Sequence, residues 1–239
     1  MGDLKINSIT PSTGNIKVGS TDVSQIYCGS TLVWPLAPQP VACNLPDVVI
    51  GTQTWKGCNL DTSTYVNGDT IPQAITDVDW MDKNANGIGA WCYYENNVAN
   101  GPIYGKLYNG YAIADTIHGG LALPSGYHIP TRNEFTILSN FLGNDSFAGG
   151  KLKEPSTTYW SSPNSILTPY SGFRGLPGGR RDLGGVFEYI NTYGVWWSSS
   201  IGGIPDSYWA RYSYNGATTF TEQNLGLGLG HSVRLIKNS

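Results

Sequence analysis

Charge is what this 239-residue chain has least of: Asp, Glu, Lys and Arg make up 13% of it, with a formal net charge of −3, against roughly 25% in an average domain. The 14 Lys and Arg residues are scattered rather than gathered into a patch, so the sequence offers no electrostatic footprint for a phosphate backbone and nucleic acid is not an expected partner. Four cysteines, Cys28, Cys43, Cys58 and Cys92, are too few and too widely spaced for a disulfide scaffold, and no Cys-x-x-Cys or His-x-x-x-His pair offers zinc-ligand spacing. Free thiols are expected, with a Cys58–Cys92 contact left open. No run approaches the roughly 18 apolar residues that cross a bilayer, so no membrane insertion is expected. Met1-Gly2-Asp3-Leu4-Lys5 is not followed by the apolar core of a secretory leader, so any export is expected by another route.

What is abundant is glycine and aromatic side chains: 31 Gly, 15 Tyr and 8 Trp, the inventory of a loop-rich β structure. The length suffices for one large domain with a small appendage. Residues 16–34 alternate apolar and polar types between Gly, Ser and Thr turns, which predicts short strands. So small a β unit buries too little surface to stand alone. It either folds onto the main domain or acts as an attachment and oligomerisation segment (residues 1–36), with Ile16, Val18, Val23, Ile26, Tyr27, Leu32 and Trp34 supplying its apolar positions. Pro35-Leu36-Ala37-Pro38-Gln39-Pro40 carries neither helix nor sheet, and residues 37–46 read as a stiff linker to a domain over 47–239.

Thr131-Arg132-Asn133-Glu134 is a capping box, and Phe135, Leu138, Phe141 and Leu142 follow at helical spacing before Gly143. A shorter second helix is expected within residues 104–114. The rest reads as short strands and turns, so the predicted class is α+β, with one or two helices and irregular antiparallel β structure.

Candidate chemistry is sparse. Asp82-x-Asn84-x-Asn86-Gly87 matches the opening of a calcium loop, with Asp77 and Asp79 as spare ligands, but position twelve is Tyr93, which cannot supply a bidentate carboxylate. A turn held by Asx side chains is the alternative, and no cofactor beyond such a calcium ion is expected. His118, His128 and His231 lie in no triad or zinc motif, and His128 reads as a packed residue bonded to backbone. Arg174, Arg180 and Arg181 bracket a Leu-Pro-Gly-Gly turn, where a guanidinium could meet the carboxylate of a sugar acid or simply pair with Asp182 or Glu188. Trp196 and Trp197, adjacent on a strand, point to opposite faces; core packing is the expectation for both, although one could be exposed, and Trp197 is kept as a candidate ligand residue. Residues 208–224 alternate aromatic and polar types around Asn215-Gly216, a strong hairpin signal. Its outward palette of Tyr208, Arg211, Tyr214, Asn215, Gln223 and Asn224 resembles an antibody paratope and marks the expected ligand face.

Two resemblances add to this. Val23-x-x-Ile26-Tyr27-x-Gly29-Ser30-Thr31-x-Val33-Trp34-Pro35 resembles short segments near the starts of bacteriophage virion proteins. From Val48 to Lys237 the chain resembles the Fibrobacter succinogenes major paralogous domain, through collinear motifs. Among them are Ile50-Gly51-x-Gln53-x-Trp55, Trp91-Cys92-Tyr93-Tyr94, Tyr104-Gly105-Lys106-Leu107-Tyr108-Asn109, Pro124-Ser125-Gly126-Tyr127-His128-Ile129-Pro130-Thr131, Trp196-Trp197-Ser198-Ser199-Ser200 and Ser232-Val233-Arg234. The resemblance implies a fold related to C-type lectins and sulfatase-modifying factors. Cysteines that the family often carries correspond here to Leu123, Leu235 and Gly101, so its disulfides are expected to be missing and Leu-Leu packing to replace part of one. Together these readings lead to a non-catalytic, homo-oligomeric phage virion appendage (head or tail fibre) on the virion surface. Its N-terminus would meet virion structural proteins and its C-terminal domain a host-surface glycan or protein. The alternative is a secreted or cell-surface bacterial adhesion module. A sulfatase-modifying or glycan-cleaving enzyme is the third reading, against which stands the absence of any assembled acid, base and nucleophile set.

Overall fold

The computed structural model describes residues 43–238 and, before them, four short strands. The chain divides into two compact units, Met1–Gln39 and Pro40–Ser239. In the first, Lys17–Val18 pairs antiparallel with Thr21–Asp22, and Ile26–Cys28 with Thr31–Trp34. Of the attachment residues, Ile16 and Val23 lie outside the described residues; Val18, Ile26, Tyr27, Leu32 and Trp34 lie on these strands.

The second unit holds three antiparallel sheets. A four-stranded sheet runs Val48–Ile50, Gln53–Asn59, Arg234–Lys237, Tyr127–His128, so the first and last strand regions of the domain are hydrogen-bonded neighbours. A five-stranded sheet runs Phe187–Ile190, Gly178–Arg181, Gly230–His231, Leu107–Asn109, Trp91–Cys92. The third sheet is a meander of Tyr193–Ile201, Ser207–Tyr214 and Thr221–Gly226. Mixed helices and antiparallel sheets define an α+β domain.

Three helices pack on these sheets. Arg132–Phe141 starts at the expected capping box: the Thr131 side chain accepts from the Glu134 amide and the Glu134 carboxylate accepts from the Thr131 amide. Phe135, Leu138 and Leu142 are buried, but Phe141 is 63% exposed, one position off the stripe. Two further helices exceed the expected number. Asp77–Ala85 is capped by Thr76 and buries Trp80. Asp145–Leu152 contains Gly149-Gly150, a pair that disfavours helix intrinsically; a Cβ at Gly149 would lie 1.9 Å from the Thr219 carbonyl oxygen, so glycine is what lets this helix meet the neighbouring loop. The expected helix within 104–114 is instead a strand, Leu107–Asn109, between single helical turns Gly101–Tyr104 and Gly110–Ile113.

Both Trp196 and Trp197 are fully buried, as core packing of both requires, which removes Trp197 as an exposed ligand residue. Trp196 joins a cluster with Trp55, Phe135, Phe173 and Phe220, while Trp197 joins one with Tyr108, Val195, Leu225 and Leu235. Leu235 belongs to the latter and the partly buried Leu123 packs against it, so the two leucines share one apolar cluster. At Gly101 a Cβ would lie 2.7 Å from the Tyr93 ring, so that ring occupies the space a cysteine side chain would need.

The expectation of free thiols holds for Cys92 and is corrected for Cys43 and Cys58, while the Cys28 side chain lies outside the described residues. Cys43 and Cys58 form a disulfide with Cα atoms 5.9 Å apart, and the buried Cys92 is free. The bond fastens residues 43–46 to the strand Gln53–Asn59, where a Cβ on Gly57 would lie 2.4 Å from the Pro46 carbonyl oxygen. Closing a separation of 15 residues removes unfolded-state entropy worth about 3 kcal/mol.

Lys153 is fully buried with no carboxylate partner among the described residues, its ammonium donating to the carbonyls of Tyr214, Asn215 and Ala217 at 3.0, 3.2 and 2.9 Å. Burial pulls its amine from 10.5 down to about 8. The unfolded chain therefore holds more protons between those values, and stability rises with pH across that window.

Cys43→Ser should lower the urea-unfolding free energy by about 3 kcal/mol, and reductant should produce the same loss in the wild type; equal stability with and without reductant would refute the staple. Lys153→Met should cost about 1–3 kcal/mol at neutral pH by stranding three carbonyls. The wild-type gain in stability above pH 8 should be missing from the variant, and a gain of equal size in both would reassign it to other groups.

Candidate functional site

The two faces of the three-stranded sheet differ in what covers them. Residues directly opposite across antiparallel strands share a face. On one face Trp196, Arg211 and Glu222 align beneath the helices. Arg211 donates to Asp145 at 2.7 Å and to the Phe220 carbonyl at 2.9 Å. Arg132 bonds Glu222 at 3.0 Å and stacks 3.9 Å over Trp209.

The opposite face aligns Tyr193 with Tyr214, Val195 with Tyr212 and Thr221, Trp197 with Ala210 and Gln223, and Tyr208 with Leu225. Against it, the five-stranded sheet brings Arg180, His231 and, from its edge strand Phe187–Ile190, Tyr189. Together they enclose a cleft of about 220 Å³. Tyr189, Tyr193 and Tyr212 form its aromatic walls: ring centroids lie 5.0 Å apart for Tyr189 and Tyr193, and 5.9 Å for Tyr193 and Tyr212. Val195 and Leu225 are its apolar surface, and Arg180, Gln223 and His231 its polar one. Burial and the neighbouring phenols push the Tyr193 hydroxyl up, so it stays protonated at neutral pH.

Electrostatically the cleft is neutral. Arg180 is taken by Glu188, with contacts of 2.7 and 2.8 Å, and lies 4.9 Å from the Tyr189 ring. Its fork is therefore spent within the protein rather than offered to a sugar acid. Arg181 pairs with Asp77 and Arg174 with Glu154. His231 is fully buried, edge-on to Trp197 at 5.0 Å, and burial followed by the nearby Arg180 lowers it from 6.5 to about 3. It is a neutral imidazole, and neither ring nitrogen has a hydrogen-bond partner among the described residues.

The structure brings only part of the expected ligand set together. Gln223 lines the cleft, and Tyr208 and Tyr214 share its face, Tyr214 stacked on Tyr193 at 5.5 Å. Trp197 lies beneath as core, with its Nε1 donating to the Tyr108 carbonyl. Arg211 is buried on the opposite face, and Asn224, also on that face, accepts from the Gly203 amide. Asn215 holds the Ser161 carbonyl. The strands also differ from a two-residue hairpin, because residues 215–220 connect them and Tyr212 pairs with Thr221. Tyr189, Tyr193, Tyr212, Val195, Leu225 and His231 escaped the reading from sequence. The signal for Tyr193 and Val195 was the period-two run through Trp197, which the antiparallel register puts on the tyrosine face.

The segment read as a calcium loop is helical here. Asp82 and Asn84 sit in the last turns of the helix Asp77–Ala85 and Asn86 is its C-cap, an arrangement different from a calcium-binding loop. Asn84 donates to the Gly228 carbonyl and accepts from Asn109, while Asn86 donates to the Asp82 carbonyl. Asp77 pairs with Arg181 and Asp79 with Lys83. Among the described residues no group of three or more His, Cys, Asp or Glu is placed to hold a metal. His128 is half-buried between Asn238 and Glu134, at 2.7 and 2.8 Å, so side chains rather than backbone hold it.

Helices on antiparallel sheets around an aromatic, charge-neutral cleft define an α+β domain. Residues 48–237 match the model of the Fibrobacter succinogenes major domain, and the chain belongs to that family. No curated protein and no solved structure showed significant similarity to it.

The buried imidazole has a consequence for stability. Its folded value of about 3 lies below the ordinary 6.5, so the unfolded chain takes up the proton first. Stability from keeping it neutral is complete above pH 6.5 and is lost as pH falls toward 3. Acid-unfolding curves of His231→Gln should be flatter than wild type over that range; parallel curves would contradict a buried neutral His231.

Proposed function

We propose that the chain is a non-catalytic virion appendage subunit, of a head or tail fibre, that docks through residues 1–36 and binds a host-surface glycan or protein through its C-terminal domain. The observation that carries the binding half is the cleft between the three-stranded and five-stranded sheets, walled by Tyr189, Tyr193 and Tyr212. Rigid phenol rings beside adaptable polar groups are the chemistry of recognition surfaces. Its ionisable groups suit binding rather than turnover: Arg180 is neutralised by Glu188 and His231 is held uncharged. A thiol-based reaction of the sulfatase-modifying kind finds little support, because Cys92 is buried and burial pushes it up to about 12. The docking half rests on the virion-like pattern from Val23 to Pro35 and the proline-rich spacer behind it.

The disulfide favours a second reading, a secreted or cell-surface adhesion module, since such bonds persist in oxidising surroundings. Labelled full-length protein should bind whole bacteria and arrayed bacterial polysaccharides. Deleting residues 1–36 should keep that binding and abolish incorporation into virions. Incorporation that survives the deletion would refute docking, and a full-length chain that binds no cell or glycan would refute the binding reading.

A further inference from the structure

The ligand class can be narrowed, on the footing that the domain is a binding module. The cleft encloses about 220 Å³, below the ~300 Å³ where sites for drug-sized molecules begin. It therefore admits one ring-sized group rather than an extended surface. Its walls are phenol rings, whose negatively polarised faces attract the weakly positive C–H edges of a saturated ring. Tyr189 holds its ring there from a backbone φ of 66°, a conformation that bulky residues adopt only when their surroundings enforce it.

Polarity supplies the second half of the argument. His231 is 1% exposed, it lines the cleft, and neither of its ring nitrogens is partnered among the described residues. Leaving a buried polar group unpaired costs about 1–3 kcal/mol. A neutral imidazole offers one N–H and one lone pair, and the group that answers either is a hydroxyl, which donates and accepts. An apolar side chain from a protein partner would fill the volume and leave the imidazole unanswered. A sugar acid would bring a charge that the cleft does not balance, because Arg180 already faces Glu188. Gln223, exposed beside it, adds an amide that also both donates and accepts.

We propose that this cleft receives a single neutral, hydroxylated saturated ring, a terminal sugar residue, with its C–H face against Tyr193 and Tyr212 and its hydroxyls on His231 and Gln223. The ring nitrogens of His231 are the reporters. The chain has 3 histidines, so ¹⁵N-labelling of histidine in the full-length protein gives few enough signals to assign by single substitutions. Methyl glycosides of glucose, galactose, mannose, rhamnose and N-acetylglucosamine are titrated to tens of millimolar, enough to reveal a millimolar Kd. The expected result is a saturable shift of His231 with at least one glycoside while His118 and His128 stay still. That Kd should weaken by about tenfold in Gln223→Ala, a difference of about 1.4 kcal/mol, and the exposed position of Gln223 keeps that variant folded. His231→Phe should abolish the response to that glycoside as read by tryptophan fluorescence.

If every glycoside leaves His231 unmoved, or Gln223→Ala binds as tightly as wild type, the proposal is overturned. A chain that still binds whole bacteria while His231 ignores every glycoside keeps its binding function and loses this site. A chain that binds no cell at all removes the footing itself.

Discussion

The domain depends on two neighbouring indoles that leave one strand in opposite directions. Trp196 and Trp197 are both fully buried, one among Trp55, Phe173 and Phe220, the other among Tyr108, Val195 and Leu225. Each also satisfies its N–H, on Asn59 in the four-stranded sheet and on the Tyr108 carbonyl in the five-stranded sheet. The strand Tyr193–Ile201 is thus the seam where three sheets meet, and Ser232 bridges it in parallel. Slipping its register by one residue would exchange the two indoles between clusters of different shape. That requirement orients the tyrosine face, because Tyr193 and Val195 share the side of Trp197.

A chain so poor in charge spends its few cations on backbone. Arg234 donates to Asn59 and to the carbonyls of Lys56, Phe173 and Arg174, and burial draws it down to about 9. Lys153 gathers three carbonyls of one loop, and Arg181 reaches those of Gly185 and Ala74. Irregular segments carry many carbonyls that no ladder answers, and buried ones must find donors. Long cationic side chains can reach several at once, which suits a fold with this much loop.

How much of this was legible depended on how local the cause was. The helix Arg132–Phe141 was readable because its capping box lies within four residues. Asp77–Ala85 was not, because Asp82, Asn84 and Asn86 imitate a metal loop while Thr76 and Trp80 supply the cap and anchor. Gly149-Gly150 hid another helix, since the close contact with Thr219 that selects glycine is long-range. The strands of residues 208–224 were visible in their alternation, but not the loop that Lys153 holds open between them. Gln223, Tyr208 and Tyr214 could be named from that alternation, whereas Tyr189, Arg180 and His231 join the cleft only through sheet pairing. The disulfide had a local cause that was overlooked: a tight hairpin at Gly51-Thr52 pairs Val48 with Trp55 and carries the preceding segment back alongside Cys58.

That bond also decides how tension travels through the molecule. A pull arriving along the chain from the spacer reaches Cys43 and crosses directly to Cys58, so residues 44–57 lie outside the path that bears the load. The hairpin of Val48–Ile50 with Gln53–Asn59 cannot be peeled open from its free end, as an unlinked edge strand would be. Force enters instead at the end of Gln53–Asn59, beside its pairing with Arg234–Lys237. Mechanical resistance thus sits at the covalent entry to the domain, away from the cleft walled by Tyr189, Tyr193 and Tyr212.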